Sequence, residues 1–226
     1  MTAQMAFDLP FRVAMGAEDF IVTDSNRIAV GMIDAWPEWP SRIIILHGAP
    51  GSGKTHLARV WETVSGAHYS TGEAIGRKLE SLLGATTVII DGIDRIVGNE
   101  EGEHALFHLC NHIQQSGQQG GHMLLTALNS PARLPFGLPD LRSRILSYGE
   151  VEILPPDDIL LAALLIKHFN DRQLHVDEDV IGFLLPRIER SADAVRRIVA
   201  ALDAAALARK SGVTVPLARL VLEQKI

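Results

Sequence analysis

One stretch limits this chain more than any other: Gly48-x-x-x-x-Gly53-Lys54-Thr55, set directly behind the apolar run Ile43-Ile44-Ile45-Leu46. An unbroken run of aliphatic residues reads as a buried strand, and the glycines that end it let the backbone curl so that several N–H groups point inward. The helix expected over His56 to Val64 starts at once behind that curl. A triphosphate placed there sits on a helix N-terminus. Lys54 then reaches the β and γ phosphates as a point charge, and the Thr55 hydroxyl takes a place on Mg2+. Gly48, Pro50, Gly51, Ser52, Gly53, Lys54, Thr55 and His56 are the residues expected around the phosphates of ADP or ATP.

The pattern on either side decides the fold class. His68-Tyr69-Ser70 reads as a short strand, Ala74 to Leu83 as a helix, and Thr86-Thr87-Val88-Ile89-Ile90 as a second buried strand ending at Asp91. Glu101 to Ser116 is a helix with Leu106, Leu109, Cys110 and Ile113 on one face, and His122 to Leu128 a further core strand. Leu141 to Ile145 is a short segment, polar on one side, before a last strand at Val151 to Leu154. After Pro155-Pro156 strands give way to four expected helices, Asp157 to Asn170, Asp177 to Ile188, Ser191 to Lys210 and Val215 to Glu223, with Asp157, Asp177 and Ser191 as N-caps and Pro186 ending the second early. The expectation is an α/β parallel sheet flanked by helices, residues 16–154, followed by an all-helical domain, residues 155–226. Residues 1–15 carry no helix or strand period and read as an extended arm. A helix from the N-cap cluster Thr23-Asp24-Ser25-Asn26 to about Ala35 precedes the first strand.

Three further groups belong to the chemistry. Asp91, at the C-terminal end of a buried strand in the same sheet as the loop, is placed to hold Mg2+; the plainer role is capping the turn before Gly92. Many ATPases of this kind carry a second acid at the next position to orient water, and here that position is glycine, with Asp94 the nearest substitute. In Leu141-Arg142-Ser143-Arg144-Ile145 two arginines suit a role in trans, because a guanidinium is permanently charged and forks onto phosphate oxygens; the alternative is a surface ion pair with Asp140 or Glu150. Arg196, on a helix of the second domain, reads either as a γ-phosphate sensor or as solvated charge.

In order and spacing, Gly48 to Thr55, Asp91, the strand end near Asn129, Ser143-Arg144 and Arg196 resemble the AAA+ ATPases, and the finer text resembles their bacterial replication-initiator (DnaA) branch. Leu138-Pro139-Asp140-Leu141-x-Ser143-Arg144 and the tail Val215-Pro216-Leu217 look closer still to the Hda family, regulatory inactivators of that initiator. The resemblance implies a helical lid for the second domain and an adenine contact from Phe20, Val22 and Asn26, within Glu18-Asp19-Phe20-Ile21-Val22 and Ser25-Asn26. Asn129 and Arg196 are implied at the nucleotide, and Arg144 as a catalytic arginine finger acting on a partner. Gln4, Met5, Phe7 and Leu9 are similar to a sliding-clamp-binding motif, in which a glutamine amide enters a polar notch and apolar anchors a cleft. The implied partners are therefore the replication initiator and the DNA polymerase sliding clamp, with a homodimer left open. The implied activity is regulatory: nucleotide-dependent stimulation of the initiator's ATP hydrolysis, with little autonomous turnover because of Gly92. An autonomous AAA+ ATPase acting as helicase loader or remodeller is the alternative, and a small-molecule kinase a more distant one. The initiator's helix-turn-helix DNA reader has no counterpart before Ile226, so no specific DNA-binding domain is expected.

Bulk properties set the remaining limits. The chain has 226 residues, 47% hydrophobic and 21% charged, with a formal net charge of −6, so bulk electrostatic attraction to nucleic acid is not its mode of action. A single cysteine, Cys110, cannot form an internal bridge. No apolar run long enough for a bilayer and no signal segment is present, so the expected location is cytoplasmic, with no membrane contact. His104, His108 and His112 recur along one helix away from its apolar face and are expected to meet solvent or a neighbour rather than a metal.

Overall fold

A computed structural model describes residues 21–115 and 121–224, and these fall into two compact units. The larger, Ser25–Pro155, is built on a parallel sheet of β1 (Ile43–His47), β2 (His68–Thr71), β3 (Thr87–Asp91), β4 (His122–Ala127) and β5 (Gly149–Glu152), in the order β2-β3-β4-β1-β5. Every residue of β1 is buried, as an inner parallel strand covered on both faces requires. The register pairs Ile45 with Leu125 of β4 and with Glu150 of β5, so β1 lies between them and its C-terminal end is central.

Helices α1 (Arg27–Asp34), α2 (Lys54–Ser65), α3 (Ile75–Leu83), α4 (Glu100–Gln115) and α5 (Pro139–Ser147) flank this sheet. Ile43 and Ile45 pack with Val88, Ile90, Met123 and Leu125 against Leu106 and Leu109 of α4 and Leu141 and Ile145 of α5. Ile44 and Leu46 turn to the other face by strand alternation. Trp61 of α2 is wholly buried and stacks on Trp39, with ring centroids 4.9 Å apart. Two local expectations are corrected. Leu141 to Ile145 lies within α5, where Pro139 opens the helix and Asp140 occupies its first turn. The last strand begins at Gly149 rather than Val151, because Gly149 already pairs with Ile44, and it stops at Glu152; beyond it the Leu154 amide turns to the Ser25 carbonyl.

The second unit, residues 21–24 with 156–224, is helical: α6 (Asp158–Asp171), α7 (Glu178–Leu184), α8 (Ala192–Arg209) and α9 (Val215–Glu223). Asp157 accepts from the Leu160 amide at 2.8 Å and Ser191 from the Ala194 amide at 3.1 Å, the two side-chain caps that open α6 and α8. Asp177 makes no such bond. Pro186 follows the end of α7 inside a short 3-10 turn, Leu185–Arg187, as a residue without an amide hydrogen should. Leu161, Leu165 and Phe169 of α6 meet Val195, Ile198 and Leu202 of α8 and Leu217 and Val221 of α9 in one apolar core.

Candidate functional site

The C-terminal edge of the sheet gathers the chemistry. Gly48 leaves β1 so close to the Ile153 carbonyl that a Cβ would collide with it, which is why the loop must open on glycine. The curl ends at Gly53, the N-cap of α2, so the free N–H groups of that helix face the loop. Lys54 is buried and folds its ammonium over its own loop, donating to the Gly48 carbonyl at 2.7 Å and the Ala49 carbonyl at 2.8 Å. Burial lowers its pKa, and the carboxylates of Asp94 and then Asp91 pull it back in part.

Asp91, the last residue of β3, is held by three hydroxyls: Thr55 on Oδ2 at 2.9 Å, Tyr69 on Oδ2 at 2.6 Å, and Thr126 on Oδ1. Burial alone raises this carboxyl, but the hydrogen bonds from Thr126, Tyr69 and Thr55 outweigh it together and hold the pKa below the ordinary aspartate value. Tyr69 stays a donor, since burial and the Asp91 hydrogen bond push its phenol up to about 12. The Arg59 guanidinium lies 3.3 Å above the Tyr69 ring. The residues fit the group they are expected to hold: the Thr55 hydroxyl and the Asp91 carboxylate touch at one point beside the loop, a hard-oxygen pair suited to Mg2+, with amides and an ammonium beside it for phosphate.

Thr126 and Tyr69 escaped the sequence reading. Thr126 comes from β4, which lies between β1 and β3, so it stands between the loop strand and the Asp91 strand. The available signal was one hydroxyl inside the apolar run Met123 to Ala127. Tyr69 comes from β2, the neighbour of β3 at the sheet edge.

Gly92 adopts φ +81°, ψ 62°, and its amide donates to the Thr126 hydroxyl at 2.8 Å. An L side chain there is strained by the left-handed backbone, while the nearest neighbour of a new Cβ is only the flexible Arg95 side chain at 3.1 Å. Gly92→Glu is therefore expected to cost about 1–2 kcal/mol of stability, and Gly92→Asn less, in urea unfolding of the purified protein. Asp94 is half-buried in the 3-10 turn that follows, and its Oδ1 accepts from the Leu128 amide at 3.0 Å.

The remaining expected residues are placed as follows. Ser52 is buried, Pro50, Thr55 and His56 are exposed, and Gly51 is intermediate. Asn129 is exposed, beyond the end of β4. Asn26 is a buried residue at the start of α1, and Val22 is half-buried in the helical unit. Arg196 lies exposed on α8 and pairs with Asp193 one turn away; such a surface pair is cheap to exchange for another anion. Arg144 is half-buried on α5, its Nη1 donating to the Gln114 amide oxygen at 2.8 Å and its guanidinium 5.4 Å from the centre of the Phe107 ring. It pairs with neither Asp140 nor Glu150; Glu150 instead lies 3.3 Å from Nε2 of His47, which is otherwise packed at the end of β1. Arg142 is exposed. The rings of His104, His108 and His112 are exposed, and no group of His, Cys, Asp and Glu suited to a metal occurs among the described residues. Phe20 and the motif residues Gln4, Met5, Phe7 and Leu9 lie outside the described residues. Among the described residues no helix is long and apolar enough to cross a membrane.

Comparison with known proteins gives the architecture its place. Residues 158–222 match the family model described as Hda, lid domain. A DNA replication initiation factor superposes with a TM-score of 0.74 at 20% identity, covering 85% of this chain and 66% of that one. The replication initiator DnaA bound to AMPPCP and single-stranded DNA gives 0.71 at 20% identity, with the same 85% and 66% coverage. Domain III of the Thermotoga maritima replication initiation protein DnaA gives 0.76 at 19% identity over 91% of this chain and 94% of that domain. The chain thus spans 66% of the length of the first two, and nearly the whole of the isolated domain III. The expected fold class is met: a five-stranded parallel sheet flanked by helices and a helical C-terminal unit, a fold shared with the solved replication-initiator structures, while residues 158–222 match the lid-domain model of Hda.

Proposed function

We propose that this chain regulates chromosome replication initiation by lending an arginine to the initiator's own nucleotide reaction. Its loop, residues 48–55, and Asp91 hold ADP or ATP with Mg2+, the segment with Phe20, Val22 and Asn26 meets the adenine, and Arg196 of the lid reads the phosphates. Gln4, Met5, Phe7 and Leu9 attach it to the DNA polymerase sliding clamp, and Arg144 enters the partner's site to speed hydrolysis there, so that initiation does not recur. The observation that carries the reading is the state of Arg144. Arg144 is held by neutral groups, the Gln114 amide, the Phe107 ring and the neighbouring Tyr148 hydroxyl, and meets no carboxylate among the described residues, so its charge is available to an anion from outside. The lid match to the Hda family and the AMPPCP-bound neighbour support the same reading.

The test reconstitutes the purified protein with DNA-loaded clamp and ATP-bound initiator. Hydrolysis by the initiator should rise with the protein present, and rise further with the clamp. Removal of residues 1–11 should abolish capture on the clamp; full capture by the truncated form would remove the tether from the proposal. A second reading, an autonomous ATPase acting as a loader or remodeller, draws on Asp94, whose carboxylate bears on Lys54 ahead of that of Asp91. Steady turnover by the isolated protein, lost on Asp91→Asn, would favour that reading.

A further inference from the structure

Glu103 is the most deeply buried carboxylate among the described residues, 3% exposed, and it touches neither the phosphate loop nor Asp91. Among the described residues no cation pairs with it. Its oxygens accept three backbone amides instead: Gly98 to Oε1 at 2.8 Å, Gly137 to Oε1 at 3.1 Å, and Leu138 to Oε2 at 2.7 Å. Charge-assisted bonds of this kind are the strong ones, and a buried carboxylate satisfied wholly by main chain fixes that main chain in place.

The two segments it joins are informative. Gly98 ends the turn that starts at Asp91 and runs through Gly92 and the 3-10 residues Ile93–Ile96. Gly137 and Leu138 lead directly into α5, with Leu138 its N-cap and its carbonyl accepting from Arg142. Glu103 itself sits in the first turn of α4, whose start is fixed by the Asn99 side chain accepting from Gly102 at 2.9 Å. The apolar contacts of Leu141 and Ile145 attach α5 to the core, but apolar packing is non-directional and tolerates sliding along the helix axis. The Leu138 bond does not.

We propose that Glu103 is a positioning residue for Arg144: it sets the axial placement of α5 and ties it to the turn behind the Asp91 carboxylate. This inference rests on the reading of Arg144 as a group acting on a partner's nucleotide. A displacement of about 1 Å in such a group is enough to cost roughly a hundredfold in rate. Glu103→Gln keeps one accepting oxygen but turns an NH2 toward an amide donor, and Glu103→Ala removes every acceptor.

The experiment measures stimulation of initiator ATP hydrolysis by wild type, Glu103→Gln, Glu103→Ala and Arg144→Ala, each titrated to saturation, beside the protein's own nucleotide affinity and its unfolding midpoint. Glu103→Gln should lower the saturating rate about tenfold and Glu103→Ala about a hundredfold, with half-saturation and own-nucleotide affinity within about twofold of wild type. Amide exchange at Gly98 and Leu138 should quicken in Glu103→Gln while β1 stays protected. Wild-type stimulation by both Glu103 variants, with Arg144→Ala inactive, overturns the positioning role alone. A loss that merely follows the unfolded fraction also overturns it. If Arg144→Ala stimulates like wild type, the underlying reading of Arg144 fails, and the role of Glu103 fails with it.

Discussion

Arg144→Ala will lower stimulation of the initiator's ATP hydrolysis by about a thousandfold while the protein remains folded and keeps its nucleotide. The size follows from where the guanidinium acts. Charge builds on the transferred phosphoryl oxygens in the transition state, and a permanent cation aimed at them stabilises that state without stabilising the ground state as much. The small effect on folding follows from what is lost: the bond to the exposed Gln114 side chain, the contact with the Phe107 ring and the interaction with the Tyr148 hydroxyl. Ile145 and Leu141, which anchor α5, are untouched. Arg144→Lys separates charge from shape. An ammonium keeps the charge but not the fork, so stimulation should remain well below wild type even though binding to the initiator persists. Equal stimulation by Arg144→Ala and wild type at saturating protein would rule out this arginine as the acting group.

The elements that sequence reading placed well are those with a local cause. The run Ile43 to Leu46 and the glycines behind it specify a strand, a curl and a helix without reference to the rest of the chain. Asp157, Ser191 and Pro186 mark helix starts and a stop by their own hydrogen bonds, or lack of one. Strand order is not local, and there the reading thinned. Thr126 and Tyr69 hold Asp91 only because β4 and β2 flank β3, a fact of register that no window of sequence contains. The Glu103 latch escaped for the same reason: its partners Gly137 and Leu138 are distant in the chain, and a glutamate in the first turn of a helix has an ordinary local explanation in the helix dipole. The segment Leu141 to Ile145 was read by its arginines rather than by Pro139, the residue that makes it a helix.

Lys54→Met will weaken binding of adenine nucleotide by about a hundredfold, measured by titration calorimetry or fluorescent-nucleotide displacement, with the fold intact. In the free protein the ammonium satisfies itself on the Gly48 and Ala49 carbonyls, groups of the loop that encircles the phosphate position, so an arriving phosphate takes over donors already in place. Methionine fills a similar volume and removes a buried charge, so the unfolding midpoint should hold or rise. The pH dependence gives an independent check. Burial has already lowered the Lys54 pKa in the free protein, and a bound polyanion raises it again. Binding therefore favours the protonated form, takes up a proton above the free-state pKa, and weakens as the pH rises, beginning below the ordinary lysine value of 10.5. Tyr69, pushed up to about 12, does not titrate in that window. The decline should be present in wild type and absent in Lys54→Met; a decline of the same size in both would place its origin elsewhere than in this ammonium.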